Sequence, residues 1–255
     1  MKIEYHDGDA VEMLFDSKSH SYRVGDDIIP SATRVLDVIS KPALVPWGLK
    51  VGAEWLAKHF FHDKDSSSKN TQIYKSRMAL EALLKGMKGA YRGTSKDALN
   101  IGNLTHEWIE GAIKWKLHGG EIPQMPKQEE AVNSIHAFKD WVSQNVVEWK
   151  SSEEKLYHRK HKYAGTVDAR AIINGEYCVI DWKTSKRVYP EYHLQVAAYA
   201  KAVEDIHGIP VDATYILRCD KATGRFEAVR STEIEENFQA YLGALTLYRR
   251  LKVLK

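Results

Sequence analysis

The chain has 255 residues, 44% hydrophobic and 28% charged, with 37 Lys and Arg against 34 Asp and Glu for a formal net charge of +3. At roughly 150 residues per domain this is one large domain or one and a half, with enough apolar material for a packed core, so a wholly disordered chain is excluded. The only cysteines, Cys178 and Cys219, exclude a disulfide-rich fold and any four-cysteine zinc or iron–sulfur site.

No apolar run reaches the about 18 residues of a membrane span. Met1–Asp7 carries neither an apolar signal region nor an Arg-rich transit pattern, so a cytoplasmic protein of a reducing compartment is expected. Phe15, His20, Tyr22 and Val24 fall at strand-like steps, and Gly25–Asp27 reads as a turn before Ile28, Ile29 and Pro30. Ser31 is placed to cap a short helix over 32–39. Pro42 and Pro46 interrupt the chain before a second helix over 47–60. Residues 62–70 are polar and Ser-rich, as an exposed loop is. Helical periodicity resumes from Ile73 to Met87, Gly86, Gly89 and Gly93 are expected to loosen the chain, and a further helix is predicted over 98–117. Another follows over 127–146.

The pattern then changes. Two β-rich runs, 163–173 and 177–182, meet at Asn174-Gly175, a strong hairpin signal. A helix is expected over 191–205, strands near 213–217 and 226–229, and a closing helix over 234–254. These elements predict an α/β fold in two parts: an N-terminal β element with a helical cap or arch over 1–145, and a mixed central sheet flanked by helices over 146–255, to which the 97–118 helix also contributes.

The chemistry concentrates at Gly165-Thr166-Val167-Asp168 and Asp181-Trp182-Lys183-Thr184-Ser185. Alternation puts Asp181 and Lys183 on one face of a strand and Trp182 on the other. Antiparallel pairing about 174/175 sets position 168 opposite 181, bringing two carboxylates together beside one ammonium. Such carboxylates repel unless one is protonated or a cation lies between them. A hard ion, Mg²⁺ or Mn²⁺, answers that need, and Lys183 beside it can act on an attacking water or on charge building at a phosphate. A half-buried ion pair at a sheet edge is the plainer reading of these three residues alone.

Glu153, Gly165–Asp168, Val179–Thr184 and Gln195-x-x-x-Tyr199 together resemble the PD-(D/E)XK nuclease superfamily in its RecB-like exonuclease branch, with Val167 where the superfamily's name has proline. The resemblance implies a restriction-endonuclease-like core. It implies catalytic roles for Asp168, Asp181, Lys183 and Glu153, with Glu154 left open as the upstream acid. It implies metal binding by Asp168, Asp181, His106 (in Gly102-x-x-x-His106) and the main-chain carbonyl of Trp182. Gln195 and Tyr199, four apart on one helix face, are associated in that branch with DNA contact and site organisation. Ile29–Leu36, Gly102–His106 and Cys178–Ser185 further resemble the mitochondrial genome maintenance exonucleases and their phage and bacterial relatives.

Residues 58–96 hold nine Lys and Arg against three acids, a concentration suited to phosphate. DNA contacts are therefore expected from Lys75, Arg77, Lys85, Lys88, Arg92 and Tyr91, and from Thr184 and Ser185 beside the motif. A second basic cluster, Lys155 to Lys162, is a further candidate. The expected function is a Mg²⁺- or Mn²⁺-dependent exonuclease without an iron–sulfur cluster, cutting single-stranded DNA from ends in repair, recombination or replication. A phage or bacterial origin and a single-strand annealing protein or helicase as partner go with that reading. A nicking or structure-specific endonuclease on the same core, or a catalytically silent DNA-binding partner in recombination, are the alternatives.

Overall fold

The computed structural model describes residues 1–39, 44–60, 77–220 and 225–254, and not the side chains of 44–46, 58–60, 77–83 and 88–98. The chain divides into two compact units, Met1–Ile39 with Ile101–Lys255, and Ser40–Asn100. The boundary is therefore not at residue 145. Ile3, Tyr5, Met13, Tyr22 and Ile29 share one hydrophobic cluster with Leu156, Tyr163, Val203 and Tyr241, so the N-terminal β element is part of the larger unit's core.

The larger unit holds two sheets. The first runs β1 (Lys2–Glu4), β2 (Ala10–Asp16), β3 (Ser21–Val24) and β4 (Asp27–Ile29) in that order, all antiparallel. Sequence reasoning named strand residues only in its second half; the alternations Ile3-Glu4-Tyr5 and Val11-Glu12-Met13, whose apolar members face the core, were the signal for β1 and β2. Ser31 caps α1 (Ala32–Val35) as expected, accepting from the Arg34 N–H at 3.2 Å. The second sheet has the order β5 (Val147–His158), β6 (Tyr163–Ile173), β7 (Glu176–Lys183), β8 (Ala213–Cys219), β9 (Phe226–Ser231). Only β7 and β8 run parallel, and the helix between them makes the crossover that parallel strands require.

In the smaller unit, α2 (Leu44–Phe60) packs with the start of α3 (Arg77–His118). The glycines read as loosening the chain do not break α3, since one interior glycine costs a helix only about 1 kcal/mol. Gly86 has a packing reason: a Cβ there would lie 2.2 Å from the Trp55 ring. Residues 62–70 and Ile73 to Lys75 lie outside the described residues. The helix read over 127–146 is shorter, α4 (Glu129–Ser143), because β5 begins at Val147.

Helices cover both faces of the second sheet. Trp108, Ile109 and Ile113 of α3 and Ile135, Phe138 and Trp141 of α4 pack with Cys178, Ile180, Trp182, Tyr215 and Leu217. On the other side α5 (Pro190–His207) and α6 (Ile234–Val253) bury Ala197, Tyr199, Val203, Phe238 and Tyr241 with Leu156 and Val179. Pro190 opens α5 at its first turn, and Gly208, left-handed at φ 66°, closes it.

Within the Lys155–Lys162 cluster Lys155, His158 and Arg159 pair inside the protein, while Lys160 and Lys162 are exposed. Arg159 reaches Asp7 at 2.7 Å, Asp9 at 3.0 Å and Asp205 at 2.9 Å, and its guanidinium lies 3.9 Å from the Tyr5 ring centroid. It thereby joins the first sheet to α5. Replacing Arg159 by Met takes the guanidinium from a partly buried Asp205, leaving it the main-chain N–H of residue 159 and His158, and a loss of about 2 kcal/mol is expected. Urea denaturation measures this, and an unchanged midpoint would show that the apolar contacts alone hold the first sheet in place.

Candidate active site

The hairpin at Asn174-Gly175 forms with the expected register, Ala169 with Ile180 through Ile173 with Glu176, and the next step of that register sets Asp168 against Asp181. Both acids are buried. Asp168 Oδ2 accepts the Trp182 main-chain N–H at 2.7 Å. Asp181 Oδ1 accepts the Gln195 side-chain amide at 3.2 Å, and Oδ2 lies 2.5 Å from Lys183 Nζ. Gln195 also accepts from Lys183 through Oε1 at 3.2 Å and donates to the Tyr199 hydroxyl at 2.9 Å. One amide thus fixes the acid, the lysine and the tyrosine. Gln195 and Tyr199 are both buried, so in this structure they organise the site from beneath and offer no surface to nucleic acid.

Burial, and then the Asp181 charge, drives the Asp168 carboxyl well above its ordinary range. Burial works to lower the Lys183 pKa, but Asp181 and Asp168 outweigh it and raise it.

Two glycines make the site possible by being small. A Cβ on Gly165 would lie 2.5 Å from Tyr199 Cε1, and one on Gly102 would lie 2.9 Å from Thr184 Oγ1. Gly102 lets α3 approach the end of β7, and one turn later α3 delivers His106. Its Nδ1 lies 3.8 Å from Asp168 Oδ2, and burial lowers its pKa against the opposing Asp181 charge.

The two neighbouring acids of β5 have different surroundings. Glu154 pairs with Arg170 at 2.5 Å and His207 at 2.8 Å. Burial acts to raise its pKa, but the His207 hydrogen bond and Arg170 prevail and bring it down to about 2. It is committed to that pair. Glu153, left-handed at φ 52°, falls in the register opposite Asp168, between Ser152 with Ala169 and Glu154 with Val167. Its carboxyl is pushed up by burial and opposed by Lys155 at 3.6 Å, with Glu110 and Lys114 of α3 also in its field. Glu110, one turn beyond His106, was missed in the sequence. Its signal was the shared helix face of positions four apart.

Among the described residues no three His, Cys, Asp or Glu side chains converge as a metal-ligand set. Asp181 Oδ2 is nonetheless fully buried, with the Lys183 ammonium 2.5 Å away. Two carboxylates against a single ammonium suit a hard cation that keeps several waters and takes few protein ligands, and do not suit a closed four-ligand site.

Of the remaining expected DNA contacts, Lys85 is exposed on α3, Thr184 and Ser185 are half-buried, and Ser185 donates to the Arg187 carbonyl at 2.8 Å. Lys75 and the side chains of Arg77, Lys88, Tyr91 and Arg92 lie outside the described residues. Arg218 was also missed. It is the one charged residue in an otherwise apolar stretch of β8, and its lone charge there was the signal.

The hairpin of the mixed sheet thus brings Asp168, Asp181 and Lys183 together, as the resemblance to the PD-(D/E)XK nucleases implies. In sequence the chain resembles mitochondrial genome maintenance exonuclease 1 of Mus musculus, 29% identical over 188 residues, 70% of this chain and 46% of that protein. The Xenopus tropicalis protein of the same name is 37% identical over 138 residues, and the Homo sapiens protein 31% over 137, each match covering 51% of this chain and 37% of the relative. The chain thus spans less than half the length of these relatives. No family model matches it. The crystal structure of LHK-Exo in complex with dAMP aligns at 15% identity and a TM-score of 0.30, over 62% of this chain and 93% of that one, too distant a superposition to carry an argument.

Gly165→Ala forces its methyl into the Tyr199 ring, and a loss of about 1–3 kcal/mol is expected. In a Tyr199→Leu background the same change should cost less, since contacting positions are not additive. Denaturant midpoints of the four proteins check this. Equal costs in both backgrounds would mean that the glycine is not there to admit the tyrosine.

Proposed function

We propose that this chain is a metal-dependent DNA exonuclease that hydrolyses phosphodiester bonds from the ends of single-stranded DNA, in repair, recombination or replication. The observation that carries the reading is the buried cluster of Asp168, Asp181 and Lys183 clasped by Gln195. The name borne by the sequence relatives, exonuclease, supports it.

In this reading Asp168, Asp181 and the Trp182 carbonyl hold Mg²⁺ or Mn²⁺, with His106 beside them. When bound there, the ion would supply Lewis-acid chemistry for phosphodiester hydrolysis. Gln195 and Tyr199 keep Asp181 and Lys183 in one geometry before substrate arrives, which removes the need to reorganise them during the reaction. Lys183 directs its N–H bonds at the attacking water or at charge growing on the phosphate. Glu153 stands near Asp168 as the third acid of the site. A single-strand annealing protein or a helicase is the proposed kind of partner, as in the branch the motifs resemble.

End-labelled linear single-stranded DNA incubated with protein and Mg²⁺, beside a circular single strand, tests the reading. Loss of the linear substrate alone is expected, and a chelator should stop it. Lys183→Ala should cut at least about 10²–10³-fold more slowly, the usual cost of losing one positioned donor, while binding DNA within twofold of the parent. Cutting of the circle would favour the endonuclease alternative. Near-parental cutting by the variant would remove Lys183 from the chemistry.

A further inference from the structure

Beyond the acids and the lysine, a row of side chains leads outward from the site. Lys183 Nζ lies 4.9 Å from the Tyr192 ring centroid. Tyr192 meets Tyr189 edge to face, 5.5 Å between centroids at 82°. The Arg187 guanidinium lies 4.9 Å from the Tyr189 ring. The two tyrosines are half-exposed and Arg187 is exposed, so the row ends in solvent.

The loop carrying this row is fixed from inside the protein. Arg218, 3% exposed, donates to the main-chain carbonyls of Ser185 at 3.0 Å and Lys186 at 3.3 Å, and pairs with Glu227 at 3.0 Å. A buried guanidinium is costly, and here its donors are spent on holding residues 185 and 186 in place. The start of the loop is thereby tied to β8.

Two rings beside a cation at the reacting end, with a second cation at the outer end, match the chemistry of a polynucleotide. A base stacks on an aromatic face whatever its identity, and a phosphate meets a guanidinium. A base inside a duplex already has both faces covered, so such a platform selects one that is unpaired. We propose that Tyr189 and Tyr192 form a stacking subsite for an unpaired nucleobase next to the bond cut at Lys183, with Arg187 on the neighbouring phosphate and Arg218 as the positioning residue. The inference rests on the nuclease reading and adds the means by which a free single-stranded end is chosen.

Binding is measured with Ca²⁺ replacing Mg²⁺, using a single-stranded oligonucleotide and versions made abasic over the terminal nucleotides at either end. The parent protein should prefer the intact strand over one of the abasic versions by about tenfold, within the range of one lost base stack. Tyr189→Leu and Tyr192→Leu should bring that preference to within twofold, and Tyr189→Trp should keep it. Arg187→Gln should weaken all strands alike and flatten the salt dependence. Thermal unfolding of each variant shows that it is folded. If the parent binds DNA with no preference, or the leucine variants keep it, the subsite is wrong while the nuclease reading stands. If the parent binds no DNA at all, the nuclease reading fails and this inference fails with it.

Discussion

Asp168 and Asp181 lie buried at one end of the sheet with a single ammonium, Lys183, against Asp181. Two negative charges set against one positive charge away from water are not a stable ion pair in the ordinary sense, since burial and mutual repulsion both disfavour the doubly ionised state. The arrangement persists because neutral donors share the load. The Trp182 N–H takes Asp168 and the Gln195 amide takes Asp181. Much of the surrounding architecture serves these contacts. Gly165 is bare so that Tyr199 can stand under Gln195, and Gly102 is bare so that α3 can bring His106 to the same end of the sheet.

Local pattern and turn chemistry made this centre legible before any coordinates. Alternation placed Asp181 and Lys183 on one face, and a two-residue turn at Asn174-Gly175 fixed which residues of β6 and β7 oppose each other. Both depend only on residues close in sequence. What stayed hidden depends on partners far along the chain. The Lys155–Lys162 run reads as a phosphate-binding patch by composition. In the fold Arg159 is claimed by Asp7 and Asp9 from one direction and Asp205 from the other, separations no short motif encodes. Glycines misled in the same way. Gly86 looks like a helix breaker, and the Trp55 ring that fills its space lies on another helix.

Glu153 and Glu154 show where a strand rule fails. Adjacent positions on a regular strand take opposite faces, so the sequence could say that one of the pair faces the site but not which. The left-handed backbone at Glu153 interrupts the pleat at that point, at a cost of about 1–2 kcal/mol for a residue with a Cβ. Glu154 is then drawn to Arg170 and His207, where it is firmly ionised. Glu153 is left in the field of Asp168, Glu110 and the lysines. Strain of this kind persists only where its surroundings over-determine it, and it gathers at functional sites.

The parallel pairing of β7 with β8 carries the last step. Lys183 ends β7, and its register partner on β8 is Arg218. One cation points into the cluster of acids, while the other turns to the main chain of the loop that continues from Lys183. Neighbouring strands therefore bear on both the reacting end of the site and the loop that forms its outer wall. Precision at a site comes from supports as rigid as the groups they hold. In this fold Arg218 ties the loop that leads to the tyrosines to the same sheet that places the carboxylates.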